Sequence, residues 1–357
     1  MTHHLSVAIP FLLAGALFAS SDVTPGMNRF AASAYRQLSE KNGNLIFSPF
    51  SISTALSMLL AGARGPTAAG ISAALDQSGT GSEYHAAVAS LAAELIRQAN
   101  LGGNQLAIAN GLWVQQGFPL QAEFEQTLGK VYQAPLTAAT RLVLTSAIYF
   151  YGKWRSPFDV KNTRAEPFQL GGGGTVDAQF MHQKADFLYS ETPAAQILEM
   201  RYQGTPLAFD ILLPKTNDGL AELEGALKPE ALSASFGALR SAKVETAIPK
   251  FRAESSFSLK QMLSRMGMAD SFSVAADFSG IDGRRDLLVG DAVHKAFVEV
   301  SEEGTEAAAA TGITVRPLAM RRQEQIVFRA DHPFAFFIRD TTSGAILFEG
   351  RLVQPKS

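Results

Sequence analysis

Ser301–Arg322, SEEGTEAAAATGITVRPLAMRR, is the stretch on which the reading of the whole chain turns. Taken two residues at a time it separates into two faces. Thr305, Ala307, Ala309, Thr311, Ile313 and Val315 are small or apolar and carry no charge, whereas Glu306, Ala308, Ala310, Gly312, Thr314 and Arg316 include both charges. Alternation of that kind describes a strand with one buried side. The composition argues otherwise: Ala307–Ala310 favours a helix, and Gly304, Gly312 and Pro317 interrupt regular structure. A solvated Ala-rich helix or loop is the better reading of this stretch by itself, so the flanking sequence has to decide.

Upstream the chain reads HKAFVEVSEEGTEAAAATG and downstream FRADHPFAFFIRDTTSGAILFEGRLVQP. Segment by segment these resemble the end of a serpin: a strand leading into a mobile reactive loop, the loop's hinge with its E-E-G-T-E-A-A-A-A run, and the last strands with H-P-F and F-x-G-R in that order. NLIFSPFSISTALSMLLAGARGPTAAGISAAL, residues 44–75, resembles the family's second and third helices. TRLVLTSAIYFYGKW, residues 140–154, resembles its T-x-L-V-L-x-N-A-I-Y-F-x-G-K-W strand. The resemblance covers nearly all of Met27 to Pro355. It implies an α+β fold in a single domain, residues 22–357: a large, mostly antiparallel main sheet, further sheets, about eight helices and a mobile reactive loop near the C-terminus.

Local patterns agree with that architecture. Apolar residues at helical spacing predict helices over Met27–Leu38, Ile52–Ala61, Pro66–Leu75, Glu83–Asn100, Gln121–Tyr132, Leu220–Leu239 and Leu259–Met266. Ser48 and Pro49 are suited to the start of the second of these, one as a cap and one where a missing N–H is harmless. Strands are expected at Asn44–Phe47, Gln105–Val114, Ala194–Tyr202, Leu207–Pro214 and Lys243–Arg252, with a strand pair in Val176–Tyr189 and the approach to the opening stretch in Asp286–Val300. One departure is large. The family places an edge strand and a long helix, lying across the main sheet, before the T-x-L-V-L strand. Here only Gln133–Ala139 separates Tyr132 from Thr140. Fully extended, that link reaches at most about 25 Å and cannot build a helix of several turns.

Composition removes several functions. The 357 residues carry a net charge of −2 without a Lys/Arg cluster beyond Arg284-Arg285 and Arg321-Arg322, so nucleic acid is not an expected partner. There is no cysteine, which removes disulfides, thiol catalysis and cysteine metal sites together. The six histidines are scattered, and G-x-S-x-G, H-E-x-x-H, Walker and G-x-G-x-x-G patterns are missing, so no enzyme, metal or cofactor is expected. The tetraglycine Gly171–Gly174 reads as a flexible turn. Residues 1–21 read as a secretory signal cut near Ser21, which makes the protein secreted, extracellular or periplasmic; the alternative is a helical or disordered N-terminal extension of a cytoplasmic protein.

The resemblance also carries residue roles. Ser48, Ser51, Ser146 and His294 match a hydrogen-bonded cluster beneath the point where the main sheet parts. Ser146 departs from the family's asparagine and loses an amide that both donates and accepts. Without the resemblance, His294 reads as a satisfied core histidine. Trp154, Thr163 and Lys250 match residues at the top of the sheet, with Lys250 pairing Glu302 as an exposed ion pair. The hinge comprises Glu302, Gly304, Thr305, Glu306, Ala307, Ala308, Ala309, Ala310 and Thr311. Counting from Gly304 at the family's spacing places the reactive bond at Leu318–Ala319, with Arg321 or Arg322 as the trypsin-like alternative.

The function implied is irreversible inhibition of an extracellular serine protease of chymotrypsin, elastase or subtilisin type through a covalent acyl complex, by a monomer with neither glycosaminoglycan site nor membrane contact. The alternative is a non-inhibitory binding protein or protease substrate of serpin shape, favoured by the missing helix and by Ser146.

Overall fold

The computed structural model describes residues 13–77, 79, 81–115, 119–133, 136–139, 142–305 and 325–355. The chain opens with helix α1 (Leu13–Leu38), the short strand β1 (Leu45–Phe47) and helices α2 (Pro49–Gly62), α3 (Gly65–Ala74) and α4 (Ser82–Ala99). The expected Met27–Leu38 helix is therefore the second half of a longer one that runs through Pro25. At the start of α2, Ser48 Oγ accepts the Ser51 N–H at 3.0 Å, and Pro49 takes the first position, where its missing donor costs nothing. Nearly every residue of α2 is buried, the pattern of a helix enclosed on all sides.

Next come β2 (Gln105–Gln115), the short α5 (Ala122–Gln126) continued by a single wide turn over Thr127–Val131, β3 (Leu136–Ala139), β4 (Leu142–Lys153), β5 (Arg164–Gln169), β6 (Thr175–Glu191), β7 (Ala195–Arg201) and β8 (Leu207–Pro214). The segment expected as a strand pair over Val176–Tyr189 is one seventeen-residue strand. Leu220–Leu239 forms two helices, α6 (Leu220–Ala226) and α7 (Pro229–Gly237). Lys228 is extended because it precedes a proline, and the single predicted helix breaks there. Lys243–Arg252 likewise divides, into β9 (Arg240–Pro249) and β10 (Phe251–Ser258), which belong to different sheets. The chain closes with α8 (Lys260–Leu263), α9 (Ser279–Asp282), β11 (Val289–Val300), the two-residue β12 (Gly304–Thr305), β13 (Ile326–Arg329), β14 (Phe334–Asp340) and β15 (Ile346–Leu352).

Two sheets result. One runs β1-β15-β14-β8-β7-β6-β9-β13, with β5 beside β6. The other, the main sheet, runs β10-β11-β4-β2-β3, with β12 attached to β4. Within the main sheet β10–β11 and β2–β4 are antiparallel, but β4 and β11 lie parallel, from Val289 opposite Leu142 to Phe297 opposite Tyr149. The link after α5 forms the edge strand β3, parallel to β2 from Leu112 to Gln115, and the described residues hold no helix between β3 and β4. The outer face of the sheet keeps rows of mixed character, Glu254–Phe297–Tyr149–Ala107 and Ser256–Lys295–Ala147–Ala109 across β10, β11, β4 and β2.

The first sheet holds acidic groups that hydrophobic patterning does not announce. Glu349, Phe337, Asp210 and Glu199 stand opposite one another across β15, β14, β8 and β7, and all are buried. Arg339 serves two of them: Nε donates to Asp210 Oδ2 at 2.8 Å and Nη2 pairs with Glu199. Arg351 instead turns to Glu224, which also accepts the Tyr35 hydroxyl. Glu349 is left with both carboxyl oxygens unpartnered, and burial pushes its pKa well above the usual carboxylate range.

Candidate functional site: the seam between β4 and β11

Two clusters frame the parallel seam. At its upper end β11 continues to Val300 beside β10 alone, the chain turns through Ser301–Glu303, and Gly304–Thr305 pair antiparallel with Lys153–Gly152 at the end of β4. The first two loop residues are thus already docked on the edge of β4. Glycine is required at 304 because φ is +151° and a Cβ there would sit 1.8 Å from Gly152 O. Trp154, 2% exposed, grips the turn twice: its N–H donates to Glu303 O at 2.7 Å and Nε1 donates to Ser301 O at 2.9 Å. Its ring stacks on Tyr202 at 4.7 Å. The Phe158 N–H donates to Glu302 O at 2.8 Å.

Lys250 and Thr163 meet at the Glu302 carboxylate. Lys250 Nζ lies 2.8 Å from Oε2, and Thr163 Oγ1 donates to Oε1 at 2.8 Å. The pair is less exposed than expected. The Glu302 side chain retains only 7% of its accessibility, although Lys250 keeps 40%, because the carboxylate is drawn under the strand end by Thr163. Burial alone would raise the Glu302 pKa, but the hydrogen bonds from Lys250 and Thr163 hold it below its ordinary value.

Lower down the seam, His294 on β11 stands directly opposite Ser146 on β4. His294 is fully buried, and its Nε2 accepts the Ser48 N–H at 3.0 Å. That assigns the proton to Nδ1, which donates to Ser146 Oγ at 3.0 Å. Ser146 lies 2.9 Å from Ser51 Oγ, and Ser51 donates to Asn110 Oδ1 at 2.8 Å. Donor and acceptor roles alternate without conflict from His294 to Asn110. Burial pushes His294 down to about 4, against the opposing pull of its bond to Ser146, so the imidazole is neutral.

Asn110 is the member that the sequence reading missed. It faces Ser146 across the β2–β4 pair and also donates from Nδ2 to Ser51 O at 3.0 Å. The amide lost at Ser146 is therefore supplied from the neighbouring strand. The signal was present: Leu106, Ile108, Asn110 and Leu112 share one face of β2, and asparagine is the odd member of that apolar set.

Of the remaining expected residues, Thr305 is placed by its backbone alone, and Glu306, Ala307, Ala308, Ala309, Ala310, Thr311, Leu318, Ala319, Arg321 and Arg322 lie outside the described residues. Among the described residues no group of three His, Asp or Glu side chains could hold a metal ion, and no helix is long and apolar enough to cross a membrane.

Comparison with known proteins bears on the whole chain. A family model described as serpin (serine protease inhibitor) matches residues 25–139 and 135–355. An uncharacterized serpin-like protein of Thermococcus kodakarensis is 37% identical over 378 aligned residues, covering 94% of this chain and 86% of that one. Leukocyte elastase inhibitor of Bos taurus is 36% identical over 374, covering 92% and 98%. The crystal structure of Serpin48 from the insect Tenebrio molitor superposes with a TM-score of 0.84 at 30% identity, covering 94% of this chain and 98% of that one.

An alignment of 378 positions that uses 94% of 357 residues leaves about forty positions with no residue of this chain. The two family matches overlap at 135–139, around β3, and β4 begins at Leu142 with no helix between β3 and β4 among the described residues. One expectation is corrected. The secreted assignment does not stand, since relatives matching over nine-tenths of the chain are leukocyte elastase inhibitors, which are intracellular serpins.

Proposed function

This chain belongs to the serpin family of serine protease inhibitors, and we propose that it traps a serine protease by inserting its cleaved reactive loop into the seam between β4 and β11. The observation that carries this reading is the docked start of the loop. Gly304 and Thr305 stand at the head of a parallel strand pair, running antiparallel to β4, in the direction a further strand between the two would take.

The protease serine attacks the Leu318 carbonyl carbon, the amide bond to Ala319 breaks, and Ala319 leaves as a free amine while an ester joins Leu318 to the enzyme. The freed segment then continues downward from Thr305. About a dozen added residues, at roughly 0.5 to 1.5 kcal/mol net for each hydrogen bond, supply on the order of 10 kcal/mol to drag and distort the enzyme. The uncharged set Thr305, Ala307, Ala309, Thr311, Ile313 and Val315 suits the inward face, since one buried charge there would cancel much of the gain. Leucine before the broken bond suits proteases with apolar primary pockets, and relatives named for elastase inhibition support that class.

A second reading, a binding protein or substrate of the same shape, draws on the missing cover over the main sheet. One experiment separates the two. Mixed with chymotrypsin and with elastase, the protein is expected to give a covalent complex that survives denaturation, and sequencing the released peptide should begin at Ala319. Recovery of cleaved protein alone at every ratio overturns the inhibitory reading.

A further inference from the structure

Asn104 ends the turn before β2 and is 3% exposed. Its side chain makes three hydrogen bonds: Oδ1 accepts the Lys153 N–H at 2.8 Å, and Nδ2 donates to Gln203 O at 2.7 Å and to Leu101 O at 2.6 Å. The Gln203 N–H in turn donates to Lys153 O at 2.7 Å. Both backbone groups of the last residue of β4 are therefore held from the flank that faces away from the seam. Its neighbours point the other way, Trp154 N–H to Glu303 O and Gly152 opposite Thr305. The two supporting turns interlock through glycines. A Cβ on Gly102 would lie 2.2 Å from Gln203 O, and one on Gly204 would lie 2.9 Å from Gly102 Cα.

We infer that Asn104 is a positioning residue for loop insertion, clamping the head of β4 from its far side so that Gly152–Trp154 offer a fixed edge to the incoming strand. The inference rests on the inhibitory reading and names what makes its first step reliable. Gly304 and Thr305 set the register for every residue that follows, and a one-residue slip would turn the uncharged face outward. Insertion competes with hydrolysis of the ester, so an edge that frays slows insertion and sends the chain down the substrate route. Removing the Asn104 amide takes the side-chain partner from the Lys153 N–H and the Gln203 carbonyl in a part-buried place, while Leu101 O keeps the Asn104 backbone N–H.

Two variants test this, each with two readouts. Asn104→Ala deletes the clamp, and Gly204→Ala pushes the two turns apart while leaving the asparagine in place. Both are expected to yield about tenfold more cleaved inhibitor per covalent complex than the wild type, the factor that ~1.4 kcal/mol added to the insertion barrier produces. Amide exchange is expected to accelerate about tenfold at Trp154 while that of Leu144, lower on the same edge, is unchanged. A wild-type partition ratio with wild-type exchange at Trp154 overturns the inference, as does equal acceleration at both amides. Should the wild type itself form no complex, the inhibitory reading falls, and exchange confined to Trp154 still supports the clamp while its absence still overturns it.

Discussion

Acidification should weaken the closure between β4 and β11, through one group. His294 accepts the Ser48 N–H on Nε2, so a second proton would set two donors against each other in a fully buried place. Its folded pKa of about 4 compares with an ordinary value near 6.5, a gap of roughly 2.5 units at ~1.36 kcal/mol each, or about 3 kcal/mol. Because the folded value is depressed, the unfolded chain takes up a proton in this window that the folded one refuses. The contribution is complete above about pH 6.5, declines as pH falls towards 4, and is gone below.

Comparison with His294→Gln isolates the effect, since the amide can still accept from Ser48 and donate to Ser146 yet never titrates. Urea unfolding of both proteins should show the wild type losing about 2–3 kcal/mol more than the variant between about pH 7 and pH 4.5. Parallel pH profiles would refute the argument, because every other titrating group is common to both.

Two further outcomes follow from the geometry. Gly304→Ala places a methyl 1.8 Å from Gly152 O, so β12 must leave β4; covalent complex formation is expected to fall at least about tenfold while thermal unfolding shifts by no more than ~0.5 kcal/mol, since the residue lies at the end of the sheet. Glu349→Leu removes a buried carboxyl with no partner and should stabilise the fold by roughly 1–3 kcal/mol at neutral pH. With a raised folded pKa, the wild type loses stability as pH rises above the ordinary carboxylate range, so the advantage of the variant in calorimetric melts should widen from acid to neutral pH.

Much of the site was legible because its residues sit in short runs with strict local roles. Ser48-Pro49 announced a capped helix, and the same cap brings the Ser48 N–H to His294. Gly304 preceded an alternating run, and the close approach to Gly152 explains why no other residue stands there. What could not be read depended on neighbours distant in the chain. Asn110 and Asn104 are ordinary strand and turn asparagines until β4 is laid beside β2, which decides what their amides face. Glu302 looked exposed because its burial comes from Thr163 and Lys250, 139 and 52 residues away in the sequence. The turn from one sheet to the other at Pro249–Lys250 gave no break in the apolar pattern, so two strands read as one.

The direction of β4 and β11 has a consequence of parity. A single strand laid between two parallel neighbours, and opposed to both, replaces one ladder of slanted bonds by two of the perpendicular kind, and among the described strands of the main sheet only the edge pairing of β2 with β3 stays parallel. A guest coming from elsewhere could lie in either sense, but a segment that leaves the top of β11 and turns back has its polarity fixed by its attachment. Covalent tethering at Val300 thus selects the one orientation that makes every interior pairing alternate.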